Sequence, residues 1–278
     1  MSITAADVNK LRQMTGAGMM DCKKALTEAN GDFEAAVDIL RKAGQKVAAK
    51  RADNETNEGV VLIALNVDHS NGKLIALACE TEPVSKVDAF NDLAKNILEA
   101  AVKSHAPSAH DLLAEPLADG RSIEGHIIDL TGKIGEKIGV SKYEVMTAEK
   151  VVAYIHAGNK LGVLVSMNSD AAGKADAAGK DVAMQIAAMN PVAVDKDGVD
   201  AATIEREIEI AKEQIRAEGK PEEMVEKIAM GKLNKFYKDA TLLNQEFVKD
   251  SSKSVAQMLN DIEKGLTVSA FKRVVLGA

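Results

Sequence analysis

The sequence predicts an α+β protein, and three patterns carry that prediction. Capped helical stripes fill the first fifty residues, a strand–turn–strand–helix order then occurs twice, and two helices sharing an apolar seam follow from about residue 200. At 278 residues the chain exceeds one small core and suits two to four units.

Three short helices open the chain. Thr4 caps the first, with Asp7 three residues on and Val8 and Leu11 facing inward, and Gly16 stops it. The second repeats Met19, Cys22, Leu26 and Ala29 on one face and ends at Asn30-Gly31. The third starts at the cap Asp32, buries Phe33, Ala36, Val37 and Leu40, and is closed by Gly44. Residues 1–51 therefore form a small three-helix unit, and the polar tract from Lys50 to Glu58 reads as a linker covering 52–58.

From Gly59 the period changes. Val60 to Val67 is a strand, Asn71-Gly72 a hairpin turn, and Lys73 to Cys79 the return strand. A helix from Val87 to Val102 presents Phe90, Leu93, Ala94, Ile97 and Ala101 on one face, and residues 104–120 are loop-rich. The plan then repeats. Val151 to His156 and Leu161 to Met167 pair about a Gly158-Asn159 turn, and a helix from Lys174 to Met189 stops at Asn190-Pro191. This is a duplicated hairpin-plus-helix core, divided as 59–145 and 146–278. Within the second half, Ile204, Ile208, Ala211 and Ile215 form a coiled-coil seam that Met224, Val225 and Ile228 complete from a helix opened by Pro221. The pair, about 200–237, reads as an inserted antiparallel coiled-coil hairpin, serving either as packing or as an arm for a partner.

Composition narrows the function. Hydrophobic residues are 46% and charged residues 28%, the balance of a soluble globular protein, while 3% aromatics and no Trp leave no stacking platform for single-stranded nucleic acid. A net charge of −7 with dispersed Lys and Arg speaks against direct nucleic-acid binding and favours a protein partner. Two cysteines, Cys22 and Cys79, cannot build a disulfide framework, and neither a leader nor a membrane-length apolar run is read, so a cytoplasmic location is expected.

Motifs for chemistry are missing. His69, His105, His110, His126 and His156 do not pair at zinc-ligand spacing, and neither a Cys-x-x-Cys nor a Gly-x-Ser-x-Gly elbow occurs. Gly16-Ala17-Gly18 follows a helix and lacks the third glycine of a dinucleotide fingerprint; Gly132-Lys133 lacks the Ser or Thr and the opening glycine of a phosphate loop. No catalytic residue, metal site or cofactor is expected.

One run decides between the remaining classes. Leu-Arg-Gln-Met-Thr-Gly-Ala-Gly-Met-Met-Asp-Cys-Lys-Lys-Ala-Leu, from Leu11 to Leu26, resembles the N-terminal signature of the bacterial elongation factor Ts family. Similar stretches continue at Asn30-Gly31-Asp32, Tyr154 to Gly158, Leu161 to Val165, Asp181 to Ala188, and from Gly219 through Phe236 to Asp250, so the resemblance covers nearly the whole chain. It implies a guanine-nucleotide exchange factor for the GDP-bound GTPase elongation factor Tu, promoting GDP and Mg²⁺ release in translation elongation, and not an enzyme. It also implies that the three-helix unit is ubiquitin-associated-like and docks on the partner's nucleotide domain, and that the hairpin near residue 200 is the family's protruding coiled coil. A module that binds elongation factor Tu with little exchange activity is the alternative, and an enzyme with an unrecognised site a third class.

The resemblance also nominates residues. Arg12, Met19, Met20, Lys23 and His156 are its partner contacts, against the alternatives that Met19 and Met20 are core and that His156 is a structural histidine. Where the family carries Thr-Asp-Phe-Val, whose Asp and Phe reach the partner's switch region and disturb the Mg²⁺ site, this chain has Thr81-Glu82-Pro83-Val84. Pro83 lacks the flat ring and reach of a Phe wedge and is expected to push Glu82 into extended backbone. A partly impaired wedge is therefore expected, against the alternative that Pro83 only stiffens the loop.

Overall fold

Thr4 forms a reciprocal capping box with Asp7 and so fixes the start of α1 (Ala5–Thr15); Gly16, at φ 67°, ends it. Met19–Glu28 form α2 and Phe33–Lys50 form α3, the latter capped by Asp32, which accepts from the Glu34 and Ala35 backbone N–H groups. The computed structural model describes residues 3–277, in two compact units. One comprises the described residues up to Ala64 with Lys73–Glu144 and the stretch from Val274; the other comprises Leu65–Gly72 and Val145–Arg273.

In the first unit, Val8, Leu11, Cys22, Ala25, Leu26 and Ala36 make the small core of α1–α3. There follow β1 (Glu58–Leu65), β2 (Asn71–Cys79), the single turn α4 (Glu82–Ser85), α5 (Asp88–Lys103), α6 (Ala109–Ala114), α7 (Ile123–Ile134) and β3 (Ile138–Thr147). The strands share one sheet in the order β1-β2-β3. Phe90, Leu93, Ala94, Ile97 and Ala101, the stripe read from the sequence, pack with Ile75 and Leu77 of β2 and with Ile123 and Ile127 of α7. Full burial of side chains such as Phe90 and Ile97 stabilises by roughly 1.5–3 kcal/mol each.

Gly44 does not close the third helix. It lies buried inside α3, which continues to Lys50, because a second glycine meets it: a Cβ on Gly132 of α7 would stand 2.6 Å from the Gly44 Cα. Two facing glycines allow the backbones of α3 and α7 to cross in contact, a use of Gly that outweighs its helix cost. The polar tract read as a linker carries defined bonds. Arg51 grips Glu80, and Lys137 Nζ donates to the Ala52 and Asn54 carbonyls at 2.6 and 2.8 Å.

The second unit contains β4 (Lys150–Ile155), β5 (Leu161–Met167), α8 (Ala175–Met189), α9 (Ala201–Ala217), α10 (Glu222–Ala240), β6 (Glu246–Phe247), β7 (Asp250–Ser254), α11 (Val255–Ile262) and β8 (Val268–Val275). β4 and β5 are antiparallel, from Lys150 opposite Met167 to Ile155 opposite Gly162, and β8 completes their sheet beside β5. Val152, Val163, Val165, Val182, Ile186 and Leu259 lie at the centre of its core.

The two hairpin loops differ from the expected turns in one case only. In the second, Gly158 (φ 90°) and Asn159 (φ 55°) form the turn as read. In the first, Asn71 already belongs to β2, and the turn is Asn66–Ser70, with His69 at φ 58°. The loops are nonetheless alike: Asn66 N–H donates to Asn71 O and His69 N–H to Asn66 O, as His156 N–H donates to Leu161 O and Asn159 N–H to His156 O. Asn-Gly misled because Asn66, five residues upstream of Asn71, sets the closing pair.

α9 and α10 run antiparallel, since Lys212 pairs with Glu226 and Arg216 with Glu222. Ala211, Ile215, Val225 and Ala229 are the buried seam, whereas Met224, assigned to it from the sequence, is 45% exposed. Val225, one residue on, takes the inward position.

Candidate functional site

The nominated residues fall on three segments. Arg12 lies exposed in the last turn of α1, its carbonyl accepting from the Gly16 N–H at 2.7 Å. Met19, Met20 and Lys23 lie on α2. Met19 was placed on the buried face with Cys22 and Leu26, but it is 50% exposed and Met20 75% exposed. The reason is positional: Gly18 is the N-cap, so Met19 opens the helix with no preceding turn over it. Met20 and Lys23 share a shallow depression with Asp21, Lys24, Thr27 and Glu28. Sequence reasoning missed Met14, which is 60% exposed at the end of α1 and adds a third exposed methionine near the Gly16-Ala17-Gly18 connection. Flexible thioether side chains at such a place make an adaptable apolar contact surface.

Met14 also lines a groove of about 420 Å³ with Ala17, Val37, Leu40, Val47 and the α7 residues Asp129 and Lys133. Beside it, Arg121 donates to Asp119 at 2.8 Å and to Asp129 at 2.6 Å, and the His126 ring lies 2.9 Å from Asp119. Arg121 and then His126 hold the Asp119 carboxyl far below its ordinary range.

Thr81, Glu82, Pro83 and Val84 form the second segment. They are not a loose loop: Glu82 to Ser85 make the helical turn α4. The extended residue is Thr81 (φ −126°, ψ 151°), not Glu82, so the expected effect of Pro83 on its neighbour is overturned. Pro83 occupies the first turn of a helix, where its fixed φ fits and its missing N–H costs nothing. Glu82 and Pro83 are exposed, and Val84 is buried in the core under α5. Glu82 lies 2.8 Å from the Lys86 ammonium, which this bond raises above its ordinary pKa. An exposed i,i+4 pair of this kind is weak.

The turn is held from below. Thr81 donates its N–H and hydroxyl to Glu136, at 3.0 and 2.7 Å. Glu80 accepts from Arg51 through both oxygens at 2.9 Å, from Asn54 at 3.0 Å and from the Lys137 N–H. That backbone bond first, then Arg51 and Asn54, keep the Glu80 carboxyl below its ordinary value. Sequence reasoning missed Glu80, Glu136 and Arg51, which no local spacing connects.

His156 is the third segment, at the start of the second hairpin loop in the other unit. It is exposed, and its ring lies 2.9 Å from the Tyr154 hydroxyl. No group of three or more His, Cys, Asp or Glu residues suited to a metal occurs among the described residues, and no helix there is long and apolar enough to cross a membrane.

A family model described as Elongation factor TS matches residues 80–278. The chain is 65% identical over 275 residues to a protein named Elongation factor Ts from Cytophaga hutchinsonii, covering 99% of each chain. It is 54% identical over 278 residues to the protein of that name from Amoebophilus asiaticus, covering all of both, and 42% identical over 285 residues to that of Chlorobaculum tepidum, covering 99% of each.

Proposed function

This chain belongs to the elongation factor Ts family, and from that premise we propose that it acts as the guanine-nucleotide exchange factor for elongation factor Tu during translation elongation. The observation that carries the reading is that the likeness to proteins of this family covers 99% of the chain at 65% identity. The chain does no covalent chemistry; it presses on a partner GTPase.

The mechanism is linkage. GDP with Mg²⁺ and the exchange factor stabilise different conformations of the GTPase, so each weakens the other's binding reciprocally. The bound Mg²⁺ is the largest local charge on the phosphates, and moving it away loosens the nucleotide. In this reading α4 is the element that intrudes, with Glu82 offering the carboxylate. Pro83 fills less space than a wedging aromatic ring, so intrusion is weaker than in relatives with Phe there. Arg12, Met14, Met19, Met20 and Lys23 form the docking face of a ubiquitin-associated-like unit, and His156 contributes a contact from the duplicated half. α9 and α10 are the inserted coiled-coil hairpin. We assign the protein to the cytoplasm because its partner works there; direct nucleic-acid and membrane contacts have no part in the reading.

The test is release of fluorescently labelled GDP from elongation factor Tu with increasing amounts of the protein. The reading predicts a saturable acceleration over spontaneous release. Binding without acceleration would leave a binding module, and neither would remove the assignment.

A further inference from the structure

We propose that Glu136 and Glu80 are positioning residues for nucleotide release, a clasp that aims the exposed Glu82-Pro83 turn; the inference rests on the exchange reading above. Thr81 is the N-cap of α4, yet its side chain makes no cap bond. Its hydroxyl is turned to Glu136 Oε1 and its N–H to Glu136 Oε2. The neighbouring residues bond the opposite way, Lys137 N–H donating to Glu80. Residues 80–81 and 136–137 thus hold each other reciprocally, each pair supplying one carboxylate and one N–H.

Two helix ends place this clasp. Arg51, the C-cap of α3, brings its guanidinium to Glu80. Gly135, the left-handed C-cap of α7 at φ 83°, turns the chain so that Glu136 and Lys137 follow directly. α3 and α7 are themselves locked where Gly44 meets Gly132. The clasp therefore stands on a frame of two crossed helices.

A single helical turn has no stability of its own. With its cap diverted, α4 takes its position from the clasp at Thr81, from Val84 buried beneath it and, at its far end, from the Ser85 carbonyl, which accepts from Asn91 Nδ2 at 2.9 Å. Glu82 and Pro83 lie between these anchors, so loosening the clasp leaves them present but misaimed. Sub-ångström placement is where such sites gain or lose their rate.

The experiment measures labelled GDP release from elongation factor Tu against concentration of the full chain, for wild type, Glu136→Ala, Glu136→Gln, Glu80→Gln and Thr81→Val. Glu136→Ala should lower the saturating release rate about tenfold while the half-saturating concentration stays within about twofold, because docking surfaces are untouched. Glu136→Gln, which keeps an acceptor, should recover part of the rate. Thr81→Val combined with Glu136→Ala should be no slower than Glu136→Ala alone, since the Thr81 hydroxyl bond is already lost with the Glu136 carboxylate. A Glu136→Ala protein with wild-type saturating rate overturns the inference, as does a change confined to half-saturation or multiplicative losses in the double variant. If Glu136→Ala fails to fold, the near-isosteric Glu80→Gln and Glu136→Gln decide by the same readout. A wild type that does not accelerate release sinks the exchange reading instead, a distinct result.

Discussion

The hairpin-plus-helix of the first unit and that of the second follow one plan but differ in the short segment that joins strand to helix. Between β2 and α5 the segment carries α4, exposed at Glu82 and Pro83 and fastened by carboxylates. Between β5 and α8 it is a tucked turn: Ala171 and Ala172 adopt left-handed φ of 48° and 50°, Asp170 accepts from Gly173 N–H, and Ala171 is buried. The two halves also use a lysine differently. In β2, Lys73 reaches the Ala101 and Ser104 carbonyls at the C-terminal end of α5, whereas in β4 Lys150 pairs with Asp170 and Asp176 at the start of α8. The strand-and-helix plan is common to both, and the connection alone decides whether that corner is exposed or buried.

The largest expected effect breaks the frame rather than the turn. Gly132→Ala places a Cβ 2.6 Å from the Gly44 Cα, a backbone atom with nowhere to go, and should cost about 3 kcal/mol of unfolding free energy. In the second unit Gly179→Ala on α8 meets Val152 Cγ2 at 2.5 Å and its Cβ at 2.8 Å; χ1 rotation leaves the Cβ in place, so about 2 kcal/mol is expected there. Denaturant melts of both variants give the order, and a reversed order would break the comparison.

Next in size is the wedge itself. Glu82→Asp with Pro83→Phe should raise the saturating GDP release rate by roughly threefold or more, because a ring buries more partner surface. An unchanged or lower rate would move the exchange argument away from α4.

The clasp also predicts an acid signature. The folded Glu80 carboxyl lies below its ordinary value of 4.5, so its stabilisation is complete above that value and disappears as the pH falls through the folded one. Glu80→Gln should therefore flatten the fall in melting temperature between about pH 5 and pH 3. Identical slopes in the two proteins would show that the clasp carries no such linkage.

Much of this was legible because local signals agreed. Thr4 with Asp7, the Phe90–Ala101 stripe, Gly158-Asn159 and the Gly219-Pro221 stop and start each marked an element that the structure contains. α7 was not read, since Gly125, Gly132 and β-branched residues weaken its propensity, although the Ser122 cap and Gly135 stop were there to find. β3 shows irregular burial along its ten residues and so lacks a strand's alternation. α11 carried an unused signal, the Ser254 and Gln257 capping box. The clasp lay beyond any local reading: Glu136 meets Thr81 across 55 residues, and an exposed carboxylate looks the same whether it faces water or a hydroxyl.

The smallest expected effect concerns the helical pair. Ala211, Ile215, Val225 and Ala229 bury one another, so replacing residues 205–235 with a short turn should leave GDP release within about twofold of wild type. A collapse would give the arm a direct part.

In the exchange reading proposed above, α4 drives release while other surfaces dock. That claim is tested most directly by changing Glu82 and Pro83 both to Gly, keeping Val84, and following labelled GDP release from elongation factor Tu at saturating protein. Release close to the spontaneous rate is expected, with half-saturation, read by competition against wild type, within about threefold of wild type. Wild-type release from that variant would contradict it.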